Sequence, residues 1–242
     1  MYKYITLDIE TIPTQRTDVR GYFAKTVGKD TAEKLANIKA PANYKDVEKI
    51  EDYIEAAKSA LLTGEESAIN EAVNKTSFDG AFGQVVCIGY QLDEYSEPET
   101  IHGLDEPDVL GRFNDMLNEK IKPSDVLSAS IVGHNVTNFD LRFLMQRYIV
   151  NGIRPHALIV RAAQAKPWES EKVFDTMTQF AGVGNRISLD KLCMALGIEG
   201  KGDITGADVW PMVQAGKLDE VAMYCKHDVQ ITRNVFKRMT FA

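Results

Sequence analysis

Short apolar runs and longer stretches of helical periodicity alternate along most of this chain. Runs rich in β-branched and aromatic residues predict strands near residues 2–9, 84–91, 97–102, 126–132 and 171–175. Apolar residues that recur every three to four positions predict helices near residues 107–119, 138–150, 188–196, 206–215 and 217–239. This order of elements predicts an α/β protein with a central mixed five-stranded sheet flanked by helices.

A long segment between the first two predicted strands, residues 14 to about 76, needs its own interpretation. Its apolar spacing predicts a helix that begins near Tyr44 and is interrupted at Gly64, after which Ser67 is a candidate N-cap for a second helix. The segment is also acidic. We interpret it as a helical insertion, either a hairpin packed on the sheet or a lid or partner-binding element beside a functional site. No internal repeat divides the chain, so we expect residues 1–242 to form one domain.

Two carboxylates lie near the end of the first predicted strand. Because side chains alternate between the faces of a strand, Asp8 and Glu10 point the same way, separated by roughly 6.5 Å of rise. Apolar residues at Ile5, Leu7 and Ile9 fill the opposite face. The carboxyl ends of strands are a frequent location of ligands in open α/β sheets. An isolated Asp-x-Glu is also typical of a solvated strand end, so this pair indicates a site only if partners exist.

A third carboxylate, that of Asp140, follows the fourth apolar run, after the break at His134-Asn135. Asn138 is a candidate N-cap of the next helix, which places Asp140 in its first turn. The helix dipole favours the ionised form of a carboxylate there. Stabilisation of that dipole would by itself explain an aspartate at this position.

The last predicted helix carries a tyrosine and an aspartate on one face. Tyr224 and Asp228 are four residues apart, so their side chains stack along the helix. The remainder of the helix is amphipathic, and ordinary packing with a polar tip would explain the tyrosine alone. The combination of all three motifs supplies four carboxylates and one phenol, a set typical of a two-metal phosphodiesterase.

These motifs resemble those of a known enzyme group. Asp8-Ile9-Glu10-Thr11, His134-Asn135-x3-Phe139-Asp140 and Tyr224-x3-Asp228 are similar to the three exonuclease motifs of the DnaQ-like 3′–5′ exonuclease superfamily. The histidine branch of that superfamily carries its histidine five residues before the last aspartate, where this chain has Met223. Tyr224 matches the tyrosine-type (DEDDy) branch, related to the proofreading domain of family B DNA polymerases. The resemblance covers about residues 1–12 and 78–240.

The resemblance implies an RNase H-like fold and a 3′–5′ exonuclease. The expected substrate is the 3′ end of DNA, taken as single-stranded, and the products are nucleoside 5′-monophosphates. Two divalent ions, Mg²⁺ or Mn²⁺, suit the oxygen ligands that the resemblance assigns to Asp8, Glu10, Asp140 and Asp228. By the same resemblance Asp8 bridges both ions, and Tyr224 orients the attacking water or helps to deprotonate it.

Three further residues match positions that lie beside the terminal nucleotide in the superfamily. These are Thr11, Asn135 and Phe139. From the residues alone, a strand end, a turn and core packing explain them equally well. Asp175, at the end of the fifth predicted strand, is either an acid that supports the site or a turn residue. We interpret His134 as a structural hydrogen-bonding group.

The charge balance is unusual for a protein that binds nucleic acid. The 28 basic and 35 acidic residues give a net charge of −7, whereas duplex-binding proteins present basic faces to phosphates. Bound metal ions would reverse the local field, and a groove for a few nucleotides needs fewer cations. The candidate cations are Arg142, Arg147, Arg154, Arg161, Lys166, Arg186, Lys191 and Lys201. We expect weak, salt-sensitive binding and distributive action.

Cysteine usage and hydropathy bear on the compartment. Cys87, Cys193 and Cys225 form no C-x-x-C pair, which indicates a reducing cytoplasm. The sequence shows no long apolar run, so we expect no membrane partner. A replication or repair protein that binds the helical insertion is a further expected partner.

Two other functions stay open from the sequence. The first is a 3′–5′ exoribonuclease, because ribonuclease members of the superfamily share these carboxylates. The second is a non-catalytic RNase H-like binding module associated with a polymerase. Retention of all five site residues argues against the module, because clustered buried negative charge without a catalytic role is costly.

Overall fold

The protein is described from a computed structural model, which covers residues 4–93, 96–200 and 202–242. Its centre is one mixed sheet, whose strands are β1 (Tyr4–Ile12), β2 (Gln84–Gln91), β3 (Glu99–His102), β4 (Ser130–Gly133) and β5 (Val173–Asp175). The strands lie in the order β3-β2-β1-β4-β5. Strand β2 is antiparallel to both β1 and β3, whereas β4 is parallel to β1 and β5. The predicted mixed five-stranded sheet is confirmed.

Two helices come between the first and second strands in sequence, and the other helices come after the third strand. In the described part of the chain the helices are α1 (Thr17–Ala36), α2 (Val47–Asn74), α3 (Glu106–Lys120), α4 (Asp140–Val150), α5 (Ala157–Ala163), α6 (Thr176–Ala181), α7 (Leu189–Leu196), α8 (Val209–Gln214) and α9 (Leu218–Thr240). The five helices predicted after β3 are present. The short helices α5 and α6 were not predicted, because six or seven residues are too few to show a clear period. None of the helices in the described ranges is long and apolar enough to cross a membrane.

The two faces of β1 have different environments. Ile5, Leu7 and Ile9 belong to the main hydrophobic core, which α3 and α4 cover. Helix α9 packs on the other face, which carries Asp8 and Glu10. Alternation along the strand therefore separates the apolar core from the acidic side chains, as the sequence pattern predicts.

Glycine at position 89 allows α9 to lie close to β2. A Cβ atom at Gly89 would come within 2.8 Å of Cys225 Sγ and 2.9 Å of Val229 Cγ2. Farther along α9, the buried guanidinium of Arg233 donates hydrogen bonds to the carbonyl of Tyr4, at 3.1 Å, and to that of Gln91. These contacts determine how α9 lies across β1 and β2.

The insertion after β1 is a hairpin of two long helices, α1 and α2, which pack against each other. Arg20 of α1 binds the side chains of Glu66 and Asn70 on α2. At the base of the hairpin, the backbone N–H of Thr14 donates to Thr76 Oγ1 at 2.8 Å. The predicted helical insertion is thus present, and this base joins it to the end of β1.

Two details of the predicted insertion are wrong. Helix α2 runs through Gly64 without a break, and Ser67 lies inside the helix and does not cap it. The true N-cap is Asp46, whose carboxylate accepts the N–H of Glu48. A glycine inside a helix costs only about 1 kcal/mol, and packing against α1 outweighs this cost.

Several element boundaries also differ from the prediction. Strand β4 begins at Ser130 and not at residue 126, because the N–H groups of Ser128 and Ala129 bind the carbonyl of Asp125 in a turn. Helix α8 begins at Val209 because the segment before it forms a turn closed by a side chain. Local hydrogen bonds therefore shorten elements that apolar content alone extends.

Candidate active site

The acidic pair of β1 lies next to a β-bulge. Across the β1–β2 ladder Glu10 pairs with Cys87, but the next residue, Thr11, pairs with Val85, so Val86 is an extra residue of β2. Bulges are enriched beside active sites, where they redirect side chains. Here the bulge directs Val86 toward α9, where it packs in a small cluster with Tyr224.

Asp140 reaches β1 through a backbone hydrogen bond. Strand β4 pairs with β1 only as far as Thr6, and beyond that point the N–H of Ile9 donates to Asp140 Oδ1 at 3.0 Å. Asp140 is the first residue of α4, as predicted. Asn138 is not the N-cap: Phe139 flanks the helix, with no side-chain cap.

The electrostatic environment of Asp140 differs from the expectation based on the helix dipole. Burial, and then the negative charge of Asp8, raise the pKa of Asp140 well above its usual value. A neighbouring negative charge disfavours the ionised form of a carboxylate. A cluster of this kind gains stability when it binds a cation.

Helix α9 brings the third motif to the same face of β1. The thiol of Cys225 lies 3.5 Å from Asp8 Oδ2 and 3.7 Å from the carbonyl oxygen of Asp8. Tyr224 precedes this cysteine and Asp228 follows it by three residues, and both are buried. The three motifs therefore converge around the end of β1.

Cys225 is a neighbour of the site that the sequence analysis did not identify. Ligand atoms of Asp8, Glu10 and Cys225 all lie within 4.8 Å of one another. Burial is the largest cause that raises the pKa of this thiol, followed by Cys87 and then the two carboxylates. The thiol therefore stays protonated and donates to Asp8. Its position three residues before Asp228, on the same helical face, was the signal that could have identified it.

The three predicted nucleotide-contacting residues have different surroundings. Thr11 Oγ1 donates to the carbonyl of Ser77 at 2.6 Å, so it fixes the turn that ends the insertion. Asn135 adopts a left-handed conformation, with φ of 61°, and lines a groove. The half-buried ring of Phe139 lies 5.6 Å from that of Phe143 in the core. Their contact with a nucleotide stays a prediction.

Asp175 and His134 have structural roles in this arrangement. Asp175 accepts hydrogen bonds from the N–H groups of Asn135 and Thr137, and it also caps α6. His134 contacts Thr176 Oγ1 at 2.9 Å and the carbonyl of Ile187 at 3.0 Å. Both residues hold the loop that follows β4, which confirms the structural interpretation of His134.

The candidate cations fall into distinct environments. Arg142, Lys166 and Arg186 line a groove of about 480 Å³ together with Asn135. Arg147, by contrast, is buried in an ion pair with Glu106, so its prediction as a substrate-binding cation is wrong.

Among the described residues, the remaining candidate cations lie outside this groove. Arg161 donates to the carbonyl of Ala129, and it lines a different cleft together with Arg154. Lys191 lies exposed on α7, and Lys201 is outside the described residues.

Comparison with known proteins agrees with this geometry. The model of a family described as "Predicted 3'-5' exonuclease related to the exonuclease domain of PolB" matches residues 79–242. No curated protein matches. Among solved structures, the family B DNA polymerase from the hyperthermophilic archaeon Pyrobaculum calidifontis is similar, with a TM-score of 0.53 and 13% identity. The similarity covers 98% of this chain and 24% of the polymerase chain, and at this identity it shows the fold alone.

The two comparisons cover different parts of the site. The family match includes Asp140, Tyr224 and Asp228, whereas Asp8 and Glu10 lie before it. The structural similarity extends over nearly the whole chain and shows that the sheet and its helices form an RNase H-like exonuclease fold. This chain belongs to the family of predicted 3′–5′ exonucleases related to the exonuclease domain of PolB.

Proposed function

We propose that this protein is a metal-dependent exonuclease that shortens single-stranded DNA from its 3′ end and releases nucleoside 5′-monophosphates. One observation supports it above all: three motifs from distant parts of the chain converge on β1. Asp140 binds the N–H of Ile9, and Cys225 brings the α9 motif against Asp8. These contacts support a common site for ligands from β1, α4 and α9.

The burial of these carboxylates fits a site for divalent cations. Glu10, Asp140 and Asp228 are only 7%, 4% and 2% exposed. Burying one ionised group costs several kcal/mol in a protein, so a cluster of acids needs compensating positive charge. Oxygen donors favour Mg²⁺ or Mn²⁺, which we propose are held by Asp8, Glu10, Asp140 and Asp228. Two such ions, when bound, activate the attacking water and stabilise the leaving oxygen.

The protein's own side chains position the reacting groups. Tyr224 is held by apolar neighbours from β1 and β2, Ile12 and Val86, so the direction of its hydroxyl is restricted. We propose that this hydroxyl binds the attacking water and aligns it with the scissile phosphate. A tyrosine hydroxyl can orient this water or help to deprotonate it.

Replacing Tyr224 by phenylalanine is expected to lower kcat about 100-fold and to leave KM within a few-fold. The ring keeps its packing, and only the hydroxyl that positions the water is lost. A loss in kcat of about 100-fold is within the usual range for removing such a group. Steady-state kinetics on a 5′-labelled oligonucleotide would measure it. Unchanged kcat with an unchanged circular dichroism spectrum would remove Tyr224 from the mechanism.

A gel assay tests the proposed function. Single-stranded DNA and RNA of one sequence, labelled at the 5′ end, are incubated with the protein and Mn²⁺, Mg²⁺ or EDTA. A metal-dependent ladder that shortens from the 3′ end supports the exonuclease, and the ratio of the DNA and RNA rates decides between the deoxyribonuclease and the exoribonuclease. If folded protein cleaves neither strand, the non-catalytic binding module is the better function.

The basic groove is the proposed path of the phosphate backbone. Arg142 and Arg186 are exposed, and they line this groove together with Asn135 of the second motif. Removing either arginine is expected to raise KM several-fold. It should also reduce the slope of log KM against log salt by about 0.7, the value for one phosphate contact in a single strand.

The control for this experiment is Arg154→Ala, because Arg154 is exposed but lines a cleft that contains none of the site residues. Kinetics over a series of salt concentrations would separate the variants. Equal salt slopes for Arg142→Ala, Arg186→Ala and the control would contradict the proposed path.

We also propose a domain organisation, a location and a protein partner. We propose that residues 1–242 form one exonuclease domain, with the insertion at about 14–76. Cys87, Cys193 and Cys225 are buried and form no C-x-x-C pair, which supports a reducing, cytoplasmic location. Exposed apolar side chains on the hairpin, among them Val47 and Leu62, support binding of a replication or repair protein.

A further inference from the structure

A second cleft, of about 780 Å³, opens beside Thr11 at the end of β1. One wall is the base of the insertion, from the last turns of α2 to Phe78, and the other is α8 with the residues before it, including Trp210. The cleft therefore adjoins the candidate active site at Thr11, and it shares no lining residue with the basic groove. The family match begins at residue 79 and does not include the insertion wall.

The lining of this cleft is almost neutral. Among the described residues that line it, the acid Glu71 and the base Lys75 form an ion pair at 2.6 Å. The remaining polar groups are amides and hydroxyls, for example those of Asn70, Asn74 and Gln214. Such a surface attracts neither a phosphate backbone nor a cation. Amides and aromatic faces, however, are the groups that bind the edges and faces of unpaired bases.

Phe78 is the most unusual residue of the cleft. Its side chain is 72% exposed, although it is a large aromatic ring. The ring lies 6.4 Å from that of Phe139. Thr11 holds the same turn through its hydrogen bond to the carbonyl of Ser77. Thr11 and Phe139, two residues of the exonuclease motifs, therefore support the exposed ring of Phe78 at the end of the insertion.

The opposite wall is also connected to the site. Trp210 is half-buried and packs on the cluster that contains Tyr224. Pockets of roughly 300–1,000 Å³ hold one drug-sized molecule, so this cleft has room for one or two bases and none for a duplex. The size and the chemistry of the lining both suit an unpaired strand.

We propose that this cleft binds the unpaired bases next to the 3′-terminal nucleotide, and that Phe78 is their stacking platform. This inference rests on the proposed function and identifies its substrate as a single strand. The base of the insertion is then part of the substrate-binding site. A 3′ end within a stable duplex would be a poor substrate, because its bases cannot enter the cleft until they unpair.

The test compares two substrates that differ in the neighbouring base. Thymidine 5′-monophosphate p-nitrophenyl ester has the scissile phosphate but no second base, whereas oligothymidylate has both. Phe78→Ala is expected to raise KM for oligothymidylate roughly 10-fold, in the range of one lost base–aromatic stack, and to leave kcat/KM for the ester unchanged. Phe78→Trp, which keeps an aromatic face, should retain the wild-type KM.

The control is Tyr22→Ala, because Tyr22 is an exposed aromatic residue of the insertion that does not line the cleft. A binding measurement accompanies the kinetics: fluorescence anisotropy of labelled oligothymidylate in EDTA should show a Kd about 10-fold weaker for Phe78→Ala and unchanged for Tyr22→Ala. Equal KM and Kd for wild type and Phe78→Ala would overturn the inference. An equal loss on ester and oligonucleotide would also overturn it, since it would indicate damage to the reacting centre.

Failure of the proposed function gives a different result. In that case the wild-type protein cleaves neither the ester nor the oligonucleotide with any metal. The anisotropy comparison still decides whether the cleft binds bases, because it needs no cleavage.

Discussion

Asp8→Ala is expected to reduce exonuclease turnover about 100- to 1,000-fold while the protein stays folded. Asp8 lies where the three motifs meet, next to the Cys225 thiol and close enough to Asp140 to raise its pKa. Losing a central ligand removes charge stabilisation in the transition state, and one such group is commonly worth 100- to 1,000-fold. Single-turnover assays with Mn²⁺ and a 5′-labelled oligonucleotide would measure the loss.

In the metal-free protein, removing the charge of Asp8 should not lower stability. Asp8 and Asp140 repel each other, so Asp8→Asn is expected to melt at the same or a higher temperature than wild type in EDTA. Calorimetric titration with Mn²⁺ should show weaker uptake than wild type. Asp115→Ala, which removes an exposed carboxylate on α3, is the matched control and should change none of these values. Full activity of Asp8→Ala would contradict the two-metal site.

Arg147→Met is expected to cause the largest loss of stability, about 3–5 kcal/mol. The buried guanidinium of Arg147 binds both carboxylate oxygens of Glu106, at 2.9 and 2.7 Å, and it also donates to the carbonyl of Gly80. The same carboxylate accepts the N–H of Val85 and the side chain of Asn151. Without the arginine, a buried negative charge is left without its counterion, which is more costly than the pair itself is favourable.

Thermal and urea unfolding would measure this loss, which corresponds to a melting temperature lower by roughly 10 °C. Adding Glu106→Gln to Arg147→Met should restore part of the stability, because the amide oxygen is still available to Val85 while the uncompensated charge is gone. The control is Arg112→Met, since Arg112 and Asp108 form an exposed pair that contributes at most about 1 kcal/mol. Equal effects of Arg112→Met and Arg147→Met would contradict the importance of burial.

Arg142 and Arg147 of the same helix have different environments. Arg147 was grouped with surface cations, because one sequence does not show which arginine is buried. Arg142, on the same helix, is exposed and lines the basic groove. The two arginines are five residues apart and therefore lie on different sides of α4. Their division into a core ion pair and a groove cation follows from the orientation of the helix on the sheet.

Where local physics decided the structure, the predictions were accurate. Alternation along β1 correctly separated Asp8 and Glu10 from the apolar core. The spacing of apolar residues correctly predicted α3, α7 and α9 within one or two residues. Where packing decided, they were wrong: α2 continues through Gly64 because α1 packs along it.

The sequence by itself determined the sheet, the major helices and the exonuclease family, because periodicity and motif spacing are local properties. It also determined the offset of Tyr224 from Asp228, since helical geometry places residues four apart on one face. Only the tertiary structure decided that Asp140 binds the N–H of Ile9, 131 positions away, and that Cys225 meets Asp8, 217 positions away. Contacts over such distances depend on how α4 and α9 pack on β1, and no local pattern carries that information. The same holds for Phe78, whose exposed ring follows the insertion in sequence and lies near Phe139 of the second motif in space.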